Sequence, residues 1–144
     1  MTDAALVRKK LAQIETYVAD LRRLARPDQI DRDVREERFV EHTLQLAIQA
    51  ALDVASHIVA DERLGEAETN RELFSILEAR GYLPRALAAS LRNMVGFRNI
   101  LVHGYGDVDL MIVRDVVTNR LGDLEAFANA IRAAVPDDEG PQPR

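Results

Sequence analysis

The 144-residue chain is predicted to be all-α, an antiparallel bundle of four to five helices. Three observations lead there. Apolar residues recur at threes and fours through nearly every segment, the spacing of one helix face. Pro27, Gly65, Gly81, Pro84 and Gly104 fall between these periodic runs, where helices start and stop. No stretch alternates apolar and polar residues as a half-buried strand does, and no internal repeat competes. One compact domain over residues 1–135 is large enough to bury most of its apolar surface without staples.

The first helix carries a stripe of Leu6, Leu11, Ile14, Val18, Leu21 and Leu24, with Thr2 or Asp3 as its cap and its end before Pro27. After the charged segment 28–37, a second, long helix presents Phe39, Val40, Leu44, Ala47, Ile48, Ala51, Leu52, Ala55, Ile58 and Val59, a face wide enough for a central position in the core. A polar loop surrounds Gly65. Thr69 and Glu72 have capping-box spacing and open a short third helix through Leu73, Phe74, Ile76 and Leu77, which stops at Gly81. Pro84 sits where a first-turn proline is tolerated and opens a fourth helix with Leu87, Leu91, Met94, Val95 and Leu101 facing the core. Gly104 and Gly106 end it. A fifth helix starts near Asp109 and runs through Val113, Val116, Val117, Leu121, Leu124, Phe127 and Ile131, loosened at Gly122. Residues 136–144 have no apolar side chain to bury and are expected to be a disordered tail.

Composition narrows the chemistry. The chain has no cysteine, which removes disulfides, thiolate metal sites and thiol nucleophiles, and fits a reducing compartment. The N-terminal segment lacks the apolar stretch of a signal peptide or a membrane span, so the expected location is the cytoplasm, with no membrane partner. A net charge of −5 gives no global positive field for nucleic acid. Arg22, Arg23 and Arg26 cluster locally, where they read as a solvated helix end complementing the helix dipole.

The chemically distinctive stretch is Arg98-Asn99-Ile100-Leu101-Val102-His103-Gly104-Tyr105, at the end of the fourth helix. At 3.6 residues per turn Arg98 and Tyr105 share a face, Asn99 and His103 share an adjoining edge, and Arg98 and His103 stand about 140° apart. They converge only if the arginine wraps around the helix, the last turn unwinds at Gly104, or a second subunit supplies its own copy. The set suits metal-independent cleavage of RNA. A neutral imidazole can take the proton of a ribose 2′-hydroxyl or deliver one to the leaving oxygen. A guanidinium can hold the phosphate oxygens as charge builds on them, and Asn99 can orient either partner. Acid and base acting together need two histidines, which a two-fold dimer joining two His103 side chains supplies. By spacing alone the same residues also describe a glycine-terminated helix with a histidine on its negative end and a packed aromatic lid.

Residues 91–105, Leu-Arg-Asn-Met-Val-Gly-Phe-Arg-Asn-Ile-Leu-Val-His-Gly-Tyr, resemble the signature of the HepT-like toxins, a branch of the HEPN ribonuclease superfamily. That signature is Arg, four residues, His, any residue, Tyr, and Arg98, His103 and Tyr105 match it. Ala50 to Ala60 resembles the second-helix segment of the same family, and the helical order extends the resemblance over residues 1 to 135. The resemblance implies a HEPN-like domain that forms a homodimer and cleaves an RNA substrate without metal. It also implies a cognate MntA-like nucleotidyltransferase antitoxin that neutralises it, in some cases by transferring AMP to the motif tyrosine. Arg98 and His103 are then the catalytic pair, Asn99 supports them, Tyr105 is the modification target, and no resident cofactor is implied. Two rivals remain: a noncatalytic module that binds a nucleotide or the nucleotidyltransferase through Arg98 and Tyr105, and a purely structural helical dimer.

The other polar candidates read as structural. Asp53 and His57, four apart, have no third ligand at matching spacing and are expected to hydrogen-bond as a pair, with His57 at most supporting the cleft. His42 is expected at the surface, and Glu36, Glu37 and Glu41 on a solvated face.

Overall fold

The computed structural model describes residues 2–104 and 108–136. Among the described residues six helices form one bundle, α1 (Ala4–Leu24), α2 (Val34–Asp61), α3 (Asn70–Ala79), α4 (Arg85–His103), α5 (Leu110–Asn119) and α6 (Leu121–Ala134), with a 3-10 turn at Pro27–Gln29. No strand occurs among the described residues.

Asp3 caps α1, its carboxylate accepting from the Leu6 N–H at 3.1 Å. The buried stripe is Ala4, Val7, Leu11, Ile14, Val18 and Leu21. Leu6 and Leu24, expected in that stripe, are exposed instead. Val7 keeps the four-three spacing that faces α2, and Leu6 falls about 100° off it. At the far end Arg22 binds Glu125 of α6 at 2.5 Å and Arg23 binds Asp20, so the arginine cluster partly fastens helices together.

Helix α2 begins at Val34, well before its apolar face, because Asp33 accepts from the Arg35 N–H at 2.9 Å and Glu36 and Glu37 complement the dipole in the first turn. It packs against all five other helices. By length and composition α2 passes for a membrane-crossing helix, but 61% of its most apolar window is buried within the bundle. The apolar run is that of a core helix.

Thr69 caps α3 as its spacing predicts, accepting from the Glu72 N–H, while the Glu72 carboxylate accepts from the Glu68 N–H, one residue before the reciprocal partner of a standard box. Gly81 ends this segment at φ +83°, and the Tyr82 N–H reaches back to the Leu77 carbonyl, a closure only glycine enters freely. Phe74 of α3 meets Phe127 of α6 edge to face, centroids 5.8 Å apart.

The expected fifth helix is two. It breaks at Arg120, before Gly122 rather than at it: the Arg120 N–H closes α5 on the Val116 carbonyl, and Arg120 also precedes the first residue of α6. Val113, Val116, Val117, Leu121, Leu124, Phe127 and Ile131 keep a helical spacing straight through the break, so periodicity could not reveal it. The break lets α5 pack against α2 and the 3-10 turn while α6 packs against α1 and α4.

Candidate functional site

The motif occupies the last two turns of α4, whose buried face is Leu87, Ala88, Leu91, Met94, Val95 and Phe97. Arg98 lies four positions after Met94 and three after Val95, on the core-facing side, and its guanidinium reaches α2. Nη2 donates to Oε1 of Gln49 at 2.5 Å and Nη1 donates to Oδ1 of Asn99 at 3.1 Å, while Nε is buried without a partner. No carboxylate pairs with Arg98 among the described residues, so its charge is held but not neutralised.

His103 is exposed in the final turn and lines a surface pocket with Asn99, Ile100 and Gly104. Asn99 and His103 therefore share one edge, as their spacing predicts. Arg98 and His103 face different ways, and Asn99 links them by bonding Arg98 and lining the histidine pocket. Tyr105 and Gly106 lie outside the described residues. The α4 terminus closes tightly, with the Gly104 N–H on the Ile100 carbonyl at 2.7 Å and Gly104 at φ −76°, an ordinary right-handed conformation.

Gln49 is the residue that sequence reasoning missed. Its Nε2 donates to Oδ1 of Asp53 at 2.9 Å, and Oδ2 of Asp53 pairs with Lys10 at 3.5 Å. The signal lay in the four-residue spacing of Gln49 and Asp53 on α2.

Asp53 and His57 do not bond each other, which corrects the expectation of a pair. His57 Nε2 accepts from the Asp3 N–H at 3.2 Å and lies 3.1 Å from Asp61, tying the start of α1 to the end of α2 and away from the motif. The two side chains share only a groove between α1 and α2. Among the described residues no three His, Asp or Glu side chains gather as a metal ion requires. His42 is exposed, as expected.

Glu41 departs from the solvated face expected of it. Its Oε2 is buried without a hydrogen bond, and burial, reinforced by the neighbouring Glu37 charge against a smaller opposing effect of Arg38, pushes its carboxyl up to about 7. Glu36 accepts the Arg26 backbone N–H at 2.6 Å, tying the start of α2 to the preceding turn.

The Ribonuclease HepT-like family profile matches residues 11–131. The chain is 35% identical over 105 residues to the mRNA nuclease HepT of Shewanella oneidensis, covering 73% of this chain and 79% of that one. It is 38% identical over 74 residues to the tRNA nuclease HepT of Aphanizomenon flos-aquae, covering 51% of this chain and 50% of the relative. The solved structure of a tri-AMPylated Shewanella oneidensis HEPN toxin in complex with MNT antitoxin superposes with a TM-score of 0.84 at 31% identity, covering 92% of this chain and 99% of that one. With its all-helical bundle, its Arg98–His103 motif and a profile match across most of its length, this chain belongs to the HepT-like ribonuclease family.

Proposed function

We propose that this protein is the toxin of a toxin–antitoxin pair, a cytoplasmic homodimeric endoribonuclease that cleaves RNA without a metal ion. A cognate MntA-like nucleotidyltransferase neutralises it by transferring AMP to Tyr105. The observation that carries this reading is the motif geometry: an un-neutralised Arg98 bonded to Asn99, and an exposed His103 lining a pocket that Asn99, not Arg98, shares with it. The naming of both nuclease relatives and the antitoxin-bound neighbour support it.

In the proposed reaction His103 removes the proton from a ribose 2′-hydroxyl, whose oxygen attacks the adjacent phosphorus. The bond to the 5′-oxygen breaks and that oxygen takes a proton from the second histidine, leaving a cyclic 2′,3′-phosphate and a 5′-hydroxyl. Arg98 carries the charge that builds on the nonbridging oxygens, and Asn99 keeps guanidinium and imidazole in register. The second copy supplies the second His103. Supporting that dimer, Ile100 of α4 and Met111 and Ile112 of α5 are exposed large apolar residues, with Met111 at 75%. AMP on Tyr105, two residues beyond His103, adds negative charge and bulk that repel RNA and engage Arg98.

Purified protein should cleave an RNA oligonucleotide with undiminished rate in excess EDTA, and His103→Ala or Arg98→Ala should abolish cleavage while leaving the fold and dimer intact. Full activity in a folded His103→Ala protein refutes the ribonuclease assignment. Intact mass after co-expression with the neighbouring gene should rise in increments of AMP that vanish in Tyr105→Phe; no increment under active conditions refutes that mode of control.

A further inference from the structure

We infer that Gln49 is a positioning residue for Arg98, holding the guanidinium in its working orientation through a neutral acceptor whose own orientation Asp53 dictates. This rests on the ribonuclease reading above. An amide can present either its oxygen or its NH2 group to a neighbour, so what faces Arg98 depends on what holds the other end. Here Asp53, whose carboxylate oxygens accept, takes the hydrogen bond from Nε2 at 2.9 Å and is paired with Lys10 at 3.5 Å. The NH2 group is thereby committed to Asp53, and Oε1 must face Arg98, where it stands 2.5 Å from Nη2.

The choice of a neutral amide matters. A carboxylate at position 49 would form an ion pair with Arg98 and compete with substrate phosphate for the same charge. Gln49 and Asn99 instead hold one Nη each with uncharged oxygens, leaving full charge and the remaining Nη–H donors for a phosphate. The anchor is needed because Arg98 projects from the core-facing side of α4, turned away from the His103 pocket, so a long side chain must be fixed from α2 to act in register with Asn99. Lys10 of α1, Asp53 and Gln49 of α2, and Arg98 and Asn99 of α4 thus form one polar chain across three helices ending at the motif.

The test uses the full-length protein, a fluorogenic RNA oligonucleotide and its uncleavable 2′-O-methyl counterpart. Gln49→Leu removes both hydrogen bonds of the side-chain amide at nearly constant size. Gln49→Glu keeps the shape but places a carboxylate on Arg98. Gln49→Leu should lower kcat about ten- to a hundredfold, because a displaced guanidinium loses more in the transition state than in the ground state, with Kd for the analogue changed less than about threefold. Gln49→Glu should lower kcat and also flatten the salt dependence of analogue binding by about 0.7 in log–log slope, the loss of one single-strand phosphate contact. A merely structural role moves neither the kcat–Kd split nor the salt slope. Gln49→Leu with kcat within about twofold of the parent, or a loss matched by an equal loss of folded protein, overturns the inference. If Gln49→Leu does not fold, Gln49→Glu decides, with an unchanged slope and kcat overturning it. His103→Ala run in parallel separates the two ideas. An inactive His103→Ala beside a fully active Gln49→Leu removes only the role of Gln49, whereas an active His103→Ala removes the ribonuclease reading and this inference with it.

Discussion

Replacing Gly104 by alanine places a methyl group on the residue that caps α4, directly after the motif histidine, and the structure determines the sign of the effect. Gly104 has φ −76° and ψ −16°, so conformation alone permits alanine, and the smaller freedom of the unfolded chain favours it by about 0.4–1 kcal/mol. Space does not. A Cβ built on Gly104 comes well inside 3.0 Å of the Ile100 carbonyl oxygen, an approach that real Cβ atoms essentially never show. The obstacle is backbone, so it cannot swing aside, and relief requires the last turn to open. Opening breaks the 2.7 Å bond from the Gly104 N–H to that carbonyl, costing about 1 kcal/mol and cancelling that gain. A shift of roughly half an ångström at the residue after His103 should lower kcat for RNA about tenfold, given about a hundredfold per ångström of misplacement. Gly122→Ala is the control: beyond its chain neighbours and the backbone of its own helix, no atom lies within 4 Å of a Cβ there, so it should raise the melting temperature, by at most about 1 kcal/mol in stability, with kcat unchanged. Thermal melts and single-turnover cleavage read both. Gly104→Ala more stable than the parent, with kcat within about twofold, refutes the steric argument.

Phe127 is fully buried in α6 and edge-on to Phe74 of α3, so Phe127→Ala should cost about 3–5 kcal/mol in urea unfolding, because the cavity adds to the lost burial; a loss under about 1 kcal/mol contradicts this packing. Glu41 tests the electrostatics. Its folded-state value of about 7 lies above the ordinary carboxylate value of 4.5, so the folded protein binds the extra proton between those values and stability falls as pH rises through that window. Glu41→Gln should flatten that fall and leave the variant about 1 kcal/mol more stable at pH 8, a figure discounted for solvent screening. Melts from pH 4.5 to 8 that track the parent throughout dispose of the idea.

Much of this architecture is legible in the chain because helix burial has a period. The stripes of α2, α3 and α4 match the buried residues except at Phe39, Ile76 and Leu101, which are partly buried against the core, and the Thr69 cap and Gly81 stop lie where their chemistry places them. The about 140° between Arg98 and His103 follows from helix geometry, and the structure keeps them on different sides. What periodicity cannot carry is a break that preserves the period, so α5 and α6 read as one helix. It also misplaces marginal positions such as Leu6, a register error of one residue, and Glu41, whose burial depends on what packs against α2.

The amino-acid sequence by itself determined the helical class, the position of the motif on α4 and the types of chemical group available there, because these depend on residues close together in the chain. Only the tertiary structure decided which partner each polar group found. Gln49 meets Arg98 across 49 positions, Lys10 meets Asp53 across 43 and Asp3 meets His57 across 54. Hydrogen bonds are directional and satisfied within about 3 Å, a scale at which packing of whole helices, not spacing along one of them, selects the neighbour.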